Sequence, residues 1–376
     1  MTKHHDLRLV TPEFDSKLMD LIIEFDFLQK KSLAGSTPPL LFFQLKMLFY
    51  TIESVFSARI EGNNTTIIDY IQQKSIEEKS QNLNVREIEN IEESISYIHA
   101  INSKDITINR LLISELHQKV VSNLTSEGSK TPGVYRKQNI SIGKSTHIPP
   151  DFTQISSYMD ELFQFIAKPD DSKYNLLKVA IAHHRFTWIH PFDNGNGRVV
   201  RLLTYAMLLK LDCIGSDRII NPTAVFCIDR NEYYEALSKA DVGDNAGMLF
   251  WCEYMLSGLK RELDKIDLLT DYEYLQKNIL KNTINYSLER DYLSSREAKI
   301  LRLFLKKPLI QSIDIQTLTG NKVPASVSRI IRLLLDHGLI IAEQPNSRKY
   351  SINLNSKHLT AGLIISLKQC GLLGSD

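Results

Sequence analysis

The chain has 376 residues, of which 43% are hydrophobic, and its 45 Lys and Arg residues nearly balance its 44 Asp and Glu residues. A chain of this length and composition can fill the cores of two or three domains, which excludes a disordered or fibrous protein. The formal net charge of +1 excludes a surface coated in positive charge for unselective binding of nucleic acid or membranes. Any basic site must therefore be local.

The cysteines are scattered along the chain, with no CxxC pair and no metal-ligand spacing. They are Cys213, Cys227, Cys252 and Cys370. This pattern is typical of packed thiols in a reducing compartment and argues against a zinc site. The N-terminus lacks an apolar leader, and the apolar runs 38–45 and 202–211 are too short to cross a bilayer. We therefore expect a cytoplasmic protein with no membrane partner.

Apolar residues recur at helical spacing through most of the first 270 residues, for example at 18–25, 41–52 and 111–120, which predicts a mainly α domain. Residues 131–148 differ, because alternating isoleucines around a central glycine predict a short β-hairpin there, which we call the flap. Helical spacing returns at 152–167 and 175–189. It breaks at a proline and two glycines and restarts at Arg198.

Charges alternate in sign from Trp251 to Arg296, as in a solvated helix or connector, so we place a domain boundary there. Residues 295–354 then read as three short helices and a hairpin, a pattern that resembles a winged helix-turn-helix. The predicted organisation is a helical domain over 1–275, a helical connector over 276–294, the winged-helix domain over 295–354 and a tail over 355–376.

The segment from His190 to Arg201 has the composition of an anion site at the start of a helix. Gly195 and Gly197 let the backbone turn its N–H groups toward a ligand, and Arg198 and Arg201 lie three residues apart on one helical face. Polyphosphate is the natural ligand for such a loop. His190 is suited to removing a hydroxyl proton, since its pKa lies near neutrality, and Phe192 is expected to anchor the loop in the core. A base facing a phosphate site predicts group transfer.

An isolated Gly-Asn-Gly is usually a plain turn. Here the whole segment resembles the signature of the Fic family, H-x-F-x-[D/E]-G-N-G-R-x-x-R, at every position but one. The resemblance implies transfer of AMP from ATP to a protein hydroxyl, with His190 as general base and Asn196 on the α-phosphate. It further implies that Arg198 and Arg201 hold the β- and γ-phosphates, with the backbone of the two glycines as the anion hole.

The departure is Asn194, which stands where the family usually has a carboxylate that binds magnesium. An amide carbonyl can coordinate Mg²⁺ but brings no negative charge, so we expect weaker metal binding at Asn194. Either a water or the phosphates preserve the function, or catalysis is lost; the former is the preferred reading. Asp193 beside it points elsewhere unless the loop shifts.

Two stretches outside the loop also resemble the family. Residues 57–62 match its inhibitory motif [S/T]-x-x-x-E-[G/N], which implies that Ser57 and Glu61 belong to an inhibitory segment at about 50–65. Carried over, Glu61 pairs with Arg201 and blocks the γ-phosphate, so the enzyme rests switched off. Alone, this motif is only a charged helix end.

The flap resembles the hairpin that pairs with an extended target segment in the family. Its docking candidates are Val134, Tyr135 and Ile140. By the same resemblance Tyr233 and Tyr234 are candidates for the adenine side, although aromatic pairs on helices are more often packing. The adjacent His183 and His184 are expected to be structural, since neighbours on a helix face different directions.

The third helix and hairpin of the C-terminal module offer basic groups to a ligand. These are Arg329, Arg332, Arg348 and Lys349. They suit phosphate or base-edge contacts with DNA, while protein docking or dimerisation fits such a module equally well. The favoured function is an ATP- and Mg²⁺-dependent adenylyltransferase acting on another protein or on itself, as a homodimer. The alternatives are a DNA-binding regulator whose Fic domain senses nucleotide, a Fic enzyme using another nucleotide, or one removing AMP.

Overall fold

The computed structural model describes residues 6–30, 35–74, 82–101, 103–143, 146–213, 218–219, 221–320 and 323–373. These residues form two compact units. The first comprises the described residues of segments 1–32, 52–65 and 80–263, and the second those of 33–51, 66–79 and 264–376. The boundary after Leu263 differs from the one predicted at residue 275, and two segments from the first 80 residues join the second unit. Sequence patterns along the chain cannot show such an exchange.

The first unit is helical. Its helices are α1 (Lys17–Lys30), the later part of α2 (Pro39–Ile60), α4 (Leu83–Ala100), α5 (Arg110–Val120), α6 (Ile155–Ala167), α7 (Asn175–Ile189), α8 (Asn196–Lys210), α9 (Pro222–Ile228), α10 (Arg230–Ala240) and most of α11 (Asn245–Asp267). Helix α7 is buried on nearly every side, as its apolar composition predicts, and packs against α8. The predicted helices at 152–167 and 175–189 are confirmed, with residues 152–154 as a 3₁₀ turn.

Helix α2 is long and apolar enough to cross a membrane by length and composition alone. Two-thirds of its apolar window, 67%, is buried inside the protein. Burial of that kind is what a core helix shows, so the helix provides no argument for a membrane span.

The flap differs from the prediction. The described residues 131–143 and 146–150 contain turns and extended segments but no paired strands, and Lys144 lies outside the described residues. Side chains bind this backbone instead: Ser114 donates to the Gly133 carbonyl (2.7 Å) and Arg136 donates to the carbonyl of Pro150 (2.6 Å). Because these contacts satisfy its polar groups, the segment needs no partner strand.

The second unit contains every element predicted for residues 295–354. Its elements are the first part of α2, α3 (Ile67–Lys74), α12 (Tyr272–Tyr274), α13 (Lys281–Glu289), α14 (Ser295–Leu301), α15 (Ser312–Thr319), α16 (Pro324–Asp336), β1 (Ile340–Ala342), β2 (Tyr350–Ile352) and α17 (Thr360–Gln369). Strands β1 and β2 are antiparallel, with Ile341 opposite Ser351. Among the described residues they form the protein's one sheet, so the mainly α fold is confirmed.

The predicted C-terminal tail is part of this unit's core. Helix α17 packs on α13, and Gly362 permits the contact, because a Cβ there would lie 2.7 Å from the Thr283 carbonyl oxygen. Leu363, Ile364 and Leu367 are buried. An apolar run at the end of a chain therefore marks a packed helix here.

Candidate active site

The loop between α7 and α8 is held by its own side chains. His190 ends α7 in the left-handed conformation (φ 51°), and Gly195 does the same just before α8 (φ 77°). Phe192 is fully buried and stacks on His117 with ring centroids 3.7 Å apart, which confirms its predicted anchoring role. Asn196 accepts from the Phe192 N–H and donates to the Phe192 carbonyl, both at 2.9 Å. In this structure Asn196 therefore closes the loop, and its predicted phosphate contact stays a prediction.

His190 presents a free ring nitrogen to the loop, but its pKa differs from the near-neutral value expected from the sequence. Its Nδ1 lies 3.3 Å from the carbonyl oxygen of Thr187, so this nitrogen carries the proton and donates, which leaves the lone pair on Nε2. Burial lowers the pKa of His190 to about 4. The ring is therefore neutral near pH 7. Arg136 donates to the His190 carbonyl at 2.9 Å and fixes the backbone that carries the ring.

Arg201 is held by the two predicted residues of the inhibitory motif. Its Nε donates to Ser57 Oγ at 2.8 Å, and one terminal nitrogen donates to the Ser57 carbonyl at 2.9 Å and to Glu61 Oε1 at 2.6 Å. The predicted Glu61–Arg201 pair is thus present. Burial opposes ionisation of Glu61, but the Arg201 guanidinium outweighs it and holds the pKa of Glu61 below its ordinary value.

The Glu61 carboxylate lies over the beginning of α8. A Cβ added to Gly197 would come within 2.1 Å of Glu61 Oε1, so only glycine allows this approach. The first N–H groups of a helix have no partners inside it and favour anions. Arg201 thus holds an anion beside the N-terminal end of α8 in this structure, and that anion is the protein's own carboxylate.

Arg198 is bound by protein groups in this structure, and its predicted phosphate contact stays a prediction. Its guanidinium is fully buried, 3.1 Å from Glu87 Oε1, and donates to the carbonyls of Val120 (3.3 Å) and Glu127 (2.8 Å). Burial raises the pKa of Glu87 although Arg198 opposes the rise.

The sequence motifs do not predict Glu87 as a residue of the site. The available signal was its place on α4, where it shares a helical stripe with buried Ile91, Ser94 and Ile98. A carboxylate on an apolar stripe needs a cationic or hydrogen-bonding partner.

Glu53 was also missed. It lies on α2 four residues before Ser57, on the same face of the helix, and eight residues before Glu61, which follows the end of α2. Its side chain is buried. Its carboxylate accepts from the Thr223 hydroxyl and from the Thr223 N–H (3.2 and 3.1 Å to its two oxygens). Burial raises the pKa of Glu53 to about 7, against the opposing effects of Thr223 and Arg201.

Asn194, the side chain predicted for magnesium, takes part in hydrogen bonds within the loop and its surroundings. Asn194 Oδ1 accepts from the Gly195 N–H at 2.7 Å, and its amide nitrogen donates to the carbonyls of Ser126 and Gly128 (3.3 and 3.2 Å). Asp193 is occupied as well, since Ser129 donates to its carboxylate at 2.6 Å. In the described part of the chain, no three His, Cys, Asp or Glu residues are grouped to hold a metal. In this structure Asn194 positions the loop, and its predicted metal role stays a prediction.

The Gly195 N–H, predicted to be part of the anion hole, donates to Asn194 Oδ1 in this structure. The N–H groups that remain for an anion are therefore those of Gly197 and the start of α8. Gly195 contributes its left-handed conformation, which turns the chain into the helix.

The two tyrosines differ. The Tyr233 hydroxyl lies 2.9 Å from His183 Nε2 and is buried, so this predicted adenine contact is instead packing. Tyr234 is exposed beside it, with ring centroids 5.3 Å apart, and its adenine role stays a prediction.

The histidine pair is structural, as predicted. His183 Nδ1 lies 2.8 Å from Thr204 Oγ1, and His184 Nε2 lies 2.9 Å from Asp241 Oδ1.

The three flap residues predicted to dock a target also differ in their exposure. Tyr135 is buried against Phe192, with centroids 5.6 Å apart, and Arg110 covers its ring, so it anchors the flap and cannot dock a target. Val134 is exposed and Ile140 is half-buried. Their docking role stays a prediction.

The four basic residues predicted to contact DNA are all exposed in the second unit. Arg329 and Arg332 lie on α16, while Arg348 and Lys349 lie just before β2. Arg332 is 3.9 Å from Asp336, a contact too exposed to hold it in place. DNA contact by these residues stays a prediction.

Comparisons with known proteins agree with this geometry. Residues 107–208 match the Fic/DOC family. The chain is similar to proteins named protein adenylyltransferase Fic from Nematostella vectensis (27% identity over 195 residues) and Drosophila yakuba (30% over 198). Each match covers 50% of this chain but only 42% and 36% of the relative. The chain thus spans less than half the length of these curated relatives.

Two solved structures share the fold. A Fic family protein from Desulfovibrio desulfuricans G20 has a TM-score of 0.55 at 17% identity, covering 93% of this chain and 98% of that one. A Fic domain containing signaling protein from Bacteroides thetaiotaomicron has a TM-score of 0.52 at 19% identity, covering 68% and 97%. The signature loop, His190 and both arginines lie inside the matched segment. This chain therefore carries a domain of the Fic/DOC family over residues 107–208.

Proposed function

We propose that the chain is a protein adenylyltransferase that transfers AMP from ATP to a hydroxyl of a target protein or of itself, and that Glu61 holds it inactive. The observation that carries this proposal is the Glu61 carboxylate bound to Arg201 at the start of α8. A site that holds a carboxylate with a guanidinium and a helix N-terminus has the chemistry to hold a phosphate. The curated relatives, named adenylyltransferases, support the same reaction.

In the proposed reaction His190 Nε2 removes the proton from the target hydroxyl. The hydroxyl oxygen then bonds to the α-phosphorus of ATP, and the bond from that phosphorus to the bridging oxygen breaks. Pyrophosphate leaves with the electron pair, and Arg201 and the start of α8 stabilise its charge. The low pKa of His190 keeps the base unprotonated at neutral pH. Arg198 contributes by fixing α8, since its guanidinium binds Glu87.

The test is incubation with ATP labelled at the α-phosphate, in buffer containing Mg²⁺. We compare the unaltered chain with Glu61→Gly and with Glu61→Gly combined with His190→Ala. The proposal expects label on protein with the single change and none with the double change. A matched control is Glu289→Gly, an exposed glutamate at the end of α13, which should behave as the unaltered chain. Absence of label in Glu61→Gly, while calorimetry shows ATP bound, would refute the transferase.

The nucleotide and the direction of the reaction are tested in the same variant. Labelled GTP, CTP and UTP replace ATP in parallel reactions. Loss of label from pre-modified protein after the nucleotide is removed would indicate removal of AMP.

A DNA-binding regulator is the second candidate. Its supporting observation is the set of exposed basic residues on α16 and before β2. Binding of the full chain to duplex DNA that weakens steeply with salt, and weakens further in Arg329→Ala with Arg332→Ala, would favour it. Salt-independent or absent binding would leave that module to another partner.

A further inference from the structure

A line of side-chain contacts connects the buried Arg198 to the segment that carries Glu61. Glu87 Oε1 lies 3.1 Å from an Arg198 nitrogen, while Glu87 Oε2 accepts from Asn63 Nδ2 at 2.8 Å. Asn63 follows Glu61 by two residues. The Glu87 carboxylate on α4 therefore contacts Arg198, the first arginine of the signature, and also the turn next to Glu61. Glu61 in turn binds Arg201, the second arginine of the signature.

Asn63 fixes this turn from several directions. Its Nδ2 also donates to the Asn84 carbonyl at 2.8 Å, its Oδ1 accepts from the Thr65 N–H at 3.0 Å, and the side chain is buried. The turn itself needs a left-handed residue, Gly62 (φ 106°). Glu61 lies past the last residue of α2, so the helical backbone alone does not determine where its carboxylate sits.

We infer that Glu87 and Asn63 are positioning residues that hold Glu61 on Arg201. The inference rests on the proposed function, in which Glu61 competes with the γ-phosphate. Arg198 holds the Glu87 carboxylate in place inside the core. Glu87 therefore gives Asn63 a hydrogen-bond acceptor in a fixed position. Through this bond the Asn63 side chain holds the turn at Gly62 in place. Without the Asn63 contact the carboxylate samples more positions and occupies Arg201 for less of the time.

The test uses Asn63→Ala in the full chain, in two backgrounds. The change removes the hydrogen bond to the charged Glu87 carboxylate together with those to Asn84 and Thr65. It is expected to raise the transfer of α-labelled AMP, and the affinity for ATP measured by calorimetry, by about fivefold or more. In the Glu61→Gly background the same change is expected to alter neither quantity, because no carboxylate remains to be positioned. Asn64→Ala is the matched control, since Asn64 is the exposed neighbour.

The two backgrounds separate this inference from a structural role and from the proposed function. If Asn63→Ala only damaged the fold, it would lower transfer in Glu61→Gly and lower the melting temperature in both backgrounds. Unchanged ATP affinity and transfer in Asn63→Ala alone would overturn the inference while leaving the transferase intact. If Glu61→Gly shows no transfer, the proposed function fails, and ATP affinity still decides: a rise in Asn63→Ala supports the positioning role, and no rise overturns it.

Discussion

Glu53 gives the first unit a stability that depends on pH. Its carboxyl group is buried and accepts hydrogen bonds from Thr223, yet burial dominates and raises its pKa from 4.5 to about 7. Arg201 opposes the rise, and Glu262 adds to it. The folded state thus keeps a proton on Glu53 at pH values where the unfolded chain has lost it.

The direction and the size of this pH dependence follow from the difference in proton binding between the folded and the unfolded state. Between pH 4.5 and about 7 the folded state binds more protons than the unfolded state, so stability falls as pH rises through this window. At about 1.4 kcal/mol per pKa unit the full loss is about 3 kcal/mol, of which about 2.5 kcal/mol falls between pH 5 and 8. Glu53→Gln should remove this loss, because an amide mimics the protonated acid.

Both tryptophans, Trp188 and Trp251, are buried in the first unit, so tryptophan fluorescence reports the unfolding of that unit. Urea unfolding of the unaltered chain and of Glu53→Gln is measured at pH 5 and pH 8. The difference between the two proteins should change by about 2.5 kcal/mol between these pH values. An exposed control, Glu93→Gln, should show no such change. A pH-independent difference for Glu53→Gln would refute the buried, protonated carboxyl.

Three further predictions concern the signature loop and Glu87, which binds Arg198. Gly197→Ala should displace Glu61, because the added Cβ would lie 2.1 Å from the Glu61 oxygen. Unlike Glu61→Gly, it should not raise the affinity for ATP in calorimetry, because its methyl group occupies the space that the carboxylate leaves. A higher affinity for ATP would contradict this. Transfer by Glu61→Gly should stay level from pH 8 to about 5 and decline only below, because burial puts the pKa of His190 at about 4; a decline centred near 6.5 would contradict it. Glu87→Gln should destabilise the first unit by about 3 kcal/mol, by the same fluorescence assay, because it removes the buried carboxylate beside Arg198 and leaves only the exposed Glu127 carboxylate, 3.5 Å away; a change below about 1 kcal/mol would contradict it.

Local pattern predicted the helices and the module at 295–354 well, because spacing and breakers act over a few residues. Helix α7, for example, ends where Pro191 and the left-handed His190 stop it. The hairpin predicted for the flap did not form, for a reason that its alternating pattern does not show. Its backbone is bound by Ser114 and by Arg136, and an alternating pattern cannot show that side chains will replace a partner strand.

The site shows the same limit at the level of single residues. The resemblance placed Glu61 on Arg201, and the structure agrees. For Arg198 the resemblance did not predict the protein partner that the structure shows, a carboxylate on α4, and its phosphate contact stays a prediction. An arginine in a signature can bind ligand or protein, and only the fold decides which carboxylates reach it.

The burial of the two arginines' partners determines where a phosphate can enter. Glu87 is almost fully enclosed beside Arg198, with 4% of its side chain exposed, whereas 29% of the Glu61 side chain is exposed beside Arg201. Separating the first pair would leave the buried Arg198 with only the more exposed Glu127 carboxylate, 3.5 Å away, and loss of a buried partner costs about 3–5 kcal/mol. Exchanging Glu61 for a phosphate leaves Arg201 paired throughout and requires only the turn at Gly62 to move. Under the proposed function we therefore expect nucleotide to displace the carboxylate at Arg201 while the Arg198–Glu87 pair stays closed.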